Sequence, residues 1–143
     1  MNKVYVACPM NPKYRESEER CVKILRTHGY NVYFPAEFKV KDAWSLPNTE
    51  WAKAVYDSDI EALNNADALV FLYYGQEACT GSAWEAGYAV AKGKRVIVVE
   101  MLDDLKESLM IYNSAYSLLS GEKELERYNI FSNVRKFTDT EQV

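Results

Sequence analysis

Four short apolar runs alternate along the chain with longer segments that mix charged and apolar residues. The runs are residues 4–7, 31–34, 68–74 and 95–100. Nearly continuous apolar runs of this length are typical of strands buried on both faces of a sheet. The mixed segments carry apolar residues at helical spacing and predict helices. These helices are expected at 13–27, 49–65, 82–92 and 105–119.

Alternating strands and helices predict an α/β fold with helices on both faces of a mostly parallel sheet. A fifth strand is expected in the tail, at 129–131 or 134–137, and residues 1–143 are expected to form a single domain. Open sheets of this kind bind ligands beyond the carboxyl ends of their strands. The loops expected at that edge are 8–15, 35–47, 75–82 and 101–105.

Composition narrows the class of protein. Apolar residues make up 48% and charged residues 27% of the 143-residue chain, and the net charge is −4. This balance fits a globular protein and argues against a nucleic-acid partner, which a basic surface normally serves. No apolar run reaches the length of a membrane span, so no membrane association is expected. The three cysteines have no ligand-pair spacing, which predicts reduced thiols in a cytoplasmic protein and no metal site.

Glu85 lies just after the third expected strand, at the ligand-binding edge. The segment from Ser82 to Glu85 fits the S-x-x-E capping box, in which the glutamate caps its own helix. Near a helix N-terminus the pKa of a carboxylate is expected to be low. The alternative is that Glu85 faces the ligand as a nucleophile.

Two further residues have a structural and a chemical interpretation. Asp59 shares a helical stripe with Trp51 and Leu63, the face expected to pack inward, and aspartate is seldom buried without a partner or a function. The alternative is that Asp59 lies at the edge of this stripe and is solvated. Tyr5 lies in the first strand, where it either packs in the core or hydrogen-bonds a catalytic carboxylate. The chain has no GxGxxG, GxxxxGK[ST], GxSxG or HExxH motif. What remains is carboxylate chemistry, such as the cleavage of a glycosidic bond.

Three segments together resemble the nucleoside 2-deoxyribosyltransferases. They read KVYVACP, YDSDIEALNNADALVFLY and TGSAWEAGYAVAKGKRVIVV, and the resemblance covers residues 3–99. It implies a flavodoxin-like fold and the transfer of 2-deoxyribose between nucleobases without a cofactor. It also implies that Glu85 is the nucleophile, that Asp59 is the second acid and that Tyr5 orients Glu85.

The resemblance further implies that a neighbouring subunit completes each pocket, so a homo-oligomer is expected, with Asn113 as the residue supplied. The other candidate substrate-binding residues are Pro9, Trp51, Cys79, Gly81 and Ser82. Cys79 departs from the family, whose transferases carry an aspartate six residues before the nucleophile. Its thiol is expected within reach of the base or sugar, with its pKa lowered by the helix N-terminus.

The leading hypothesis is therefore an enzyme that acts on small nucleoside and nucleobase substrates. One alternative is an N-glycosidase of 2-deoxynucleoside 5-monophosphates, for which Lys13 and Arg15 offer phosphate contacts but the loop 75–82 offers none. Another is a nucleotide-binding module without activity.

Overall fold

Five parallel strands form one sheet in the order β2-β1-β3-β4-β5. The computed structural model describes residues 1–40 and 42–137. The strands are β1 (Lys3–Ala7), β2 (Asn31–Tyr33), β3 (Ala68–Tyr73), β4 (Arg95–Glu100) and β5 (Ser117–Ser120). This order is that of flavodoxin-like folds, whose ligands bind where the strand order reverses, between β1 and β3. The predicted α/β fold with a parallel sheet is confirmed.

Helices cover both faces of this sheet. They are α1 (Arg15–Thr27), α2 (Asn48–Asn65), α3 (Thr80–Ala91), α4 (Leu109–Ser114) and α5 (Gly121–Arg127). Right-handed crossovers place α1 on one face and α2, α3 and α4 on the other. The reason is that β2 is added on one side of β1, whereas β3, β4 and β5 are added on its other side. The contacts agree, since α1 packs on α5 while α3 packs on both α2 and α4. Within the described residues, none of the helices has both the length and the apolar composition needed to cross a bilayer.

The helix α2 buries only its C-terminal end. Leu63 is in the core, whereas Trp51 at the other end of the same stripe is 45% exposed. The stripe therefore runs from the core out past the carboxyl edge of the sheet, and Asp59 lies half-buried between these two environments. This geometry places a carboxylate at the edge where parallel sheets bind ligands.

The fifth strand lies where the sequence predicted a helix. Residues 105–119 were expected to be helical, but α4 covers only Leu109–Ser114 and Ser117–Ser120 pairs with β4 as β5. Leu118 and Leu119 are buried there beside Val98 and Val99. The short apolar run fits either structure, and hydrogen bonding to the open edge of β4 decides for the strand.

The tail prediction was also wrong. Residues 129–131 form no strand, and within 134–137 only Phe137 makes a single bridge, to Leu118. Gly121 turns the chain from β5 into α5 with φ +73°, a conformation that favours glycine.

Tyr73 offers a test of this core. Its side chain is fully buried, and its hydroxyl has no hydrogen-bond partner among the described residues. Tyr73→Phe is expected to leave the free energy of unfolding unchanged or to raise it by up to about 1 kcal/mol, because an unpaired buried hydroxyl is costly. Tyr128→Phe is the matched control, because its hydroxyl bonds Ser117 at 2.7 Å and the carbonyl of Val134 at 3.0 Å. The control should lose about 1–2 kcal/mol in denaturant titrations.

A loss of more than about 1 kcal/mol in Tyr73→Phe would contradict this expectation. It would mean that a buried water, or a residue outside the described ones, satisfies the Tyr73 hydroxyl.

Candidate active site

Two tyrosines on neighbouring strands form the base of the site. Tyr5 in β1 and Tyr33 in β2 are register partners, so their side chains leave the same face of the sheet side by side. Their rings stack with centroids 5.3 Å apart. Tyr5 is fully buried and Tyr33 is half-buried. The phenol groups therefore stand at fixed positions below α2 and α3.

Each phenol donates a hydrogen bond to a carboxylate of a different helix. The Tyr5 hydroxyl donates to Oε2 of Glu85 in α3. The Tyr33 hydroxyl donates to Oδ1 of Asp59 in α2 at 2.9 Å. Because Tyr33 uses its only proton there, Ser58 Oγ donates to Tyr33 at 2.8 Å. The stacked tyrosine pair thus holds both predicted carboxylates at the same end of the sheet.

Glu85 and Asp59 line one cavity of about 390 Å³ at the carboxyl edge of the sheet. Its wall consists of Cys8, Pro9, Met10, Pro35, Tyr56, Asp59, Ile60, Leu63, Ala78, Gly81, Ser82, Trp84 and Glu85. Apolar and aromatic side chains with a few convergent polar groups are typical of small-molecule sites, and the volume suits such a ligand.

Burial controls the charge of Glu85. The pKa of this carboxyl is raised from 4.5 to about 7, and burial is the largest cause. The hydrogen bond from Tyr5 lowers the pKa, and the neighbouring Asp59 carboxylate raises it. Burial also raises the pKa of Asp59, against the lowering effect of the Tyr33 hydrogen bond. A glutamate whose pKa lies near neutrality, in a cavity beside a second carboxyl, is typical of catalytic sites.

Comparison with known proteins shows which family the chain belongs to. The sequence model of the nucleoside 2-deoxyribosyltransferase family matches residues 4–118. The chain belongs to this family. The match runs from within β1 to within β5 and includes both carboxylates, and it confirms the resemblance seen in the sequence.

Two curated relatives carry the name nucleoside deoxyribosyltransferase. The protein from Lactobacillus johnsonii is 32% identical over 75 residues, which are 48% of this chain and 50% of that protein. The protein from Lactobacillus leichmannii is 27% identical over 95 residues, which are 62% of this chain and 60% of that protein. The aligned segments thus span about half of each curated relative.

Solved structures extend the comparison over most of the chain. A 2-deoxyribosyltransferase from Bacillus psychrosaccharolyticus is 26% identical, with a TM-score of 0.78 over 89% of this chain and 92% of the other. A conserved protein from Enterococcus faecalis V583 is 18% identical with a TM-score of 0.59, over 99% of this chain and 92% of the other, and shows the fold alone.

The capping-box interpretation of Glu85 was wrong in this family member. The helix α3 begins at Thr80, so Ser82 lies inside its first turn, and no side chain caps the helix at Cys79. Glu85 lies in the second turn and bonds Tyr5 instead. The low pKa expected from the helix N-terminus is also wrong, because burial is the largest effect on this carboxyl.

The other sequence candidates divide into two groups. Pro9, Gly81 and Ser82 line the cavity with the carboxylates. Trp51 lies outside the cavity lining and is exposed. Asn113 is exposed on α4, where its amide donates to the carbonyl of Leu109 at 2.7 Å. Its role in a neighbouring subunit's pocket stays a prediction.

Cys79 is placed against expectation. It is buried beneath the loop, the Tyr74 amide donates to its Sγ at 3.4 Å, and it is absent from the cavity lining. Burial raises its pKa, so the expected reactive thiolate is wrong. Cys8 is the thiol that lines the cavity, and burial raises its pKa as well.

Sequence reasoning missed several members of the site. Tyr33 donates a hydrogen bond to Asp59, and Tyr56 lines the cavity one helical turn before Asp59. The spacing of Tyr56 and Asp59 is a signal that a helix pattern could have given. Tyr33 had no such signal, because its position beside Tyr5 follows from strand pairing.

A second groove, of about 630 Å³, lies between α1 and the end of β2. Its charged side chains are largely paired, since Arg26 bonds Glu37 at 2.6 Å and Arg15 contacts buried Glu18 at 3.3 Å. Among the described residues, no group of three or more acidic, cysteine or histidine side chains is arranged to hold a metal ion. The cavity around Glu85 is therefore the candidate active site.

The raised pKa of Glu85 predicts how stability depends on pH. The folded protein holds this proton up to about pH 7, whereas the unfolded chain releases it near 4.5. Between these values the folded state binds more protons, so the free energy of unfolding falls as the pH rises. Glu85→Gln should remove this fall and gain stability relative to the unmodified protein above neutral pH.

Urea titrations across this pH range measure the effect as a difference between the two proteins. Tyr5→Phe provides the second arm, because losing its hydrogen bond should raise the pKa of Glu85 and move the fall to higher pH. Parallel pH curves for the unmodified protein and Glu85→Gln would contradict the prediction.

Substitutions at Cys79 test whether this side chain, just before α3, is buried away from the cavity. Cys79→Asp places a carboxylate in a buried position and should lower the free energy of unfolding by about 3 kcal/mol or more. Cys79→Ala should lose only about 1 kcal/mol, because the cavity it leaves is small. Thermal melts of both variants measure this difference. A Cys79→Asp protein of unchanged stability would show instead that this side chain reaches solvent or the cavity.

Proposed function

We propose that the protein transfers 2-deoxyribose between nucleobases through a covalent intermediate on Glu85. The observation that carries the proposal is the half-buried Glu85 carboxyl, which accepts a hydrogen bond from Tyr5 and lines the same cavity as Asp59. Paired carboxyl groups in a partly apolar cavity suit cleavage of a glycosidic bond through an oxocarbenium-like transition state.

In the first step the ionised Glu85 attacks C1′ of a 2-deoxynucleoside. A C1′–O bond forms to the carboxylate and the C1′–N bond to the base breaks, with its electron pair staying on the base. In this step Asp59 passes a proton to the departing base, and burial raises the pKa of its carboxyl in the direction that this role requires. Tyr5 orients Glu85, because its hydroxyl donates to one carboxylate oxygen and leaves the other free.

In the second step a new base attacks C1′ from the side that the first base left. The bond to Glu85 breaks, and the proton of the incoming base passes to Asp59. Two displacements retain the configuration at C1′. Water in place of the second base gives hydrolysis. The enzyme needs no redox chemistry for either route, because only a base or a hydroxyl replaces another group at C1′.

The charge of the cavity favours nucleosides over 5-monophosphates. Among the described residues that line it, none is lysine, arginine or histidine, whereas two are carboxylic acids. Arg15, a sequence candidate for phosphate, instead contacts Glu18 and lies over the ring of Phe34 at 5.8 Å. Lys13 lies 5.5 Å from the ring of Tyr14. A phosphate dianion in the cavity would be repelled by ionised Glu85, and the part of the lining that the structure describes holds no cation to offset this repulsion.

A homo-oligomer belongs to the same proposal. The helix α4 carries Asn113, and its neighbours Leu109 and Met110 are 72% and 74% exposed. Large exposed apolar side chains beside each other are a common feature of subunit contacts. A second copy that covered this helix would have Asn113 at the edge of its own cavity, supplied by the first copy.

The assay that tests the proposal uses a 2-deoxynucleoside with and without a second base, followed by chromatography. We expect a new nucleoside when the second base is present, and kcat/KM should rise as the pH passes about 7, because Glu85 must be ionised to attack. Glu85→Gln should lower turnover by roughly a thousandfold or more. Glu61→Gln, on the exposed side of α2, is the control and should keep full activity.

Three outcomes would contradict parts of the proposal. Full activity in Glu85→Gln would remove the covalent step. A preference for 5-monophosphates would favour the hydrolase alternative. Binding without any product would favour a nucleotide-binding module.

A further inference from the structure

Two large aromatic side chains stand half-exposed at the mouth of the candidate active site. Tyr56 of α2 and Trp84 of α3 both line the cavity, yet they are 54% and 52% exposed. Aromatic surface left open at the rim of a pocket is often the part that meets a ligand. Neither side chain has a part in the chemistry described above.

The side chain of Trp84 is held in place by a second aromatic residue of α3. Tyr88, one turn later in α3, stacks on the indole with centroids 5.6 Å apart and an angle of 17° between the rings. The Tyr88 hydroxyl donates to Oδ1 of Asn64 in α2 at 2.7 Å, which ties the stack to the neighbouring helix. A supported indole is a rigid surface that loses little freedom when a ligand stacks on it.

Tyr56 stands next to Trp84 without stacking on it. The ring centroids are 6.2 Å apart and the planes are tilted by 57°. The two rings therefore form a corner at the cavity mouth. We name this corner, Trp84 with Tyr56, the base wall.

The base wall lies beside both carboxylates. Trp84 directly precedes Glu85, and Tyr56 lies one helical turn before Asp59. A sugar whose C1′ meets Glu85 carries its base one bond away, so the base must lie within reach of the same wall. Aromatic side chains bind nucleobases by stacking, whatever the pattern on the edge of the base.

Apart from Asp59, Glu85 and Ser82, the described lining of the cavity offers few polar side chains that could read the edge of a base. Among the described residues that line it, there is no asparagine, glutamine, lysine or arginine. Recognition by amide or guanidinium hydrogen bonds is therefore absent from this lining, and the area of the stacked face remains as the main difference between bases. A purine has the larger face and covers more of an indole than a pyrimidine does.

We propose that the base wall binds the nucleobase by stacking on Trp84, and that it makes purine 2-deoxynucleosides the better substrates. This inference rests on the proposed function and adds a specificity-determining residue to it. Trp84 binds the base and takes no part in bond breaking. Its removal should therefore act on KM and leave kcat close to that of the unmodified protein.

The kinetic test compares Trp84→Leu with the unmodified protein on 2′-deoxyadenosine and thymidine. KM for deoxyadenosine should rise about tenfold, the rise for thymidine should be smaller, and kcat should stay within about twofold. Trp84→Phe keeps a flat ring and should recover part of the affinity. Trp44→Leu is the control, because Trp44 is 89% exposed and is not part of the cavity lining.

A binding test is independent of turnover. In the Glu85→Gln background, adenine should quench tryptophan fluorescence, and the quenching should be lost with Trp84→Leu and kept with Trp44→Leu. If Trp84→Leu does not fold, Tyr56→Leu and Trp84→Phe test the same wall from its second ring and by a milder change.

The stacking on Trp84 and the proposed transferase function can be disproved separately. Unchanged KM values together with quenching that persists in Trp84→Leu would overturn the base wall and leave the proposed function standing. A fall in kcat at unchanged KM would also overturn it, because it would mean that Trp84 acts on Glu85 and not on the base. If the unmodified protein makes no product, the proposed function fails, and the quenching still decides whether a base stacks on Trp84.

Discussion

The parallel pairing of Tyr5 with Tyr33 is the constraint on which the candidate active site depends. Because β1 and β2 are in register at these residues, two phenols leave the sheet side by side and stack at 5.3 Å. One holds Glu85 and the other holds Asp59. Two helices that are separated by a strand in the chain are thereby fixed to the same pair of rings. A slip of one residue in either strand would turn one ring to the opposite face and separate the carboxylates.

The same arrangement sets the electrostatics. Burial raises the pKa of Glu85 and of Asp59, and the tyrosine hydrogen bonds oppose that rise without cancelling it. A fully solvated glutamate would be ionised well below neutral pH but would be a poorly directed nucleophile. A fully buried one without Tyr5 would keep its proton. The observed balance places Glu85 near the point where it can ionise at neutral pH, at the expense of folding stability above that pH.

The wider fold was largely predictable, because short, nearly continuous apolar runs separated by amphipathic segments allow few arrangements. β1, β3 and β4 lie within two residues of their expected bounds. The failures fall where a short segment fits two structures. Ser117–Ser120 has two leucines that suit a helix face as well as a strand, and only the open edge of β4 distinguishes them. Ser82 and Glu85 have capping-box spacing, but α3 begins earlier than the pattern implied.

The sequence by itself determined the α/β class, the edge of the sheet that binds ligands and the residues Glu85, Asp59 and Tyr5 as candidates, because these depend on local periodicity and on recognisable segments. Only the tertiary structure decided what surrounds them. Tyr33 proved to be part of the site, whereas Cys79 and Trp51 proved to lie outside the cavity lining. Tyr56 and Trp84 proved to be neighbours at the cavity mouth. The physical reason is that burial and side-chain partners arise from strand register and helix packing between residues far apart in the chain. No local pattern records those pairings.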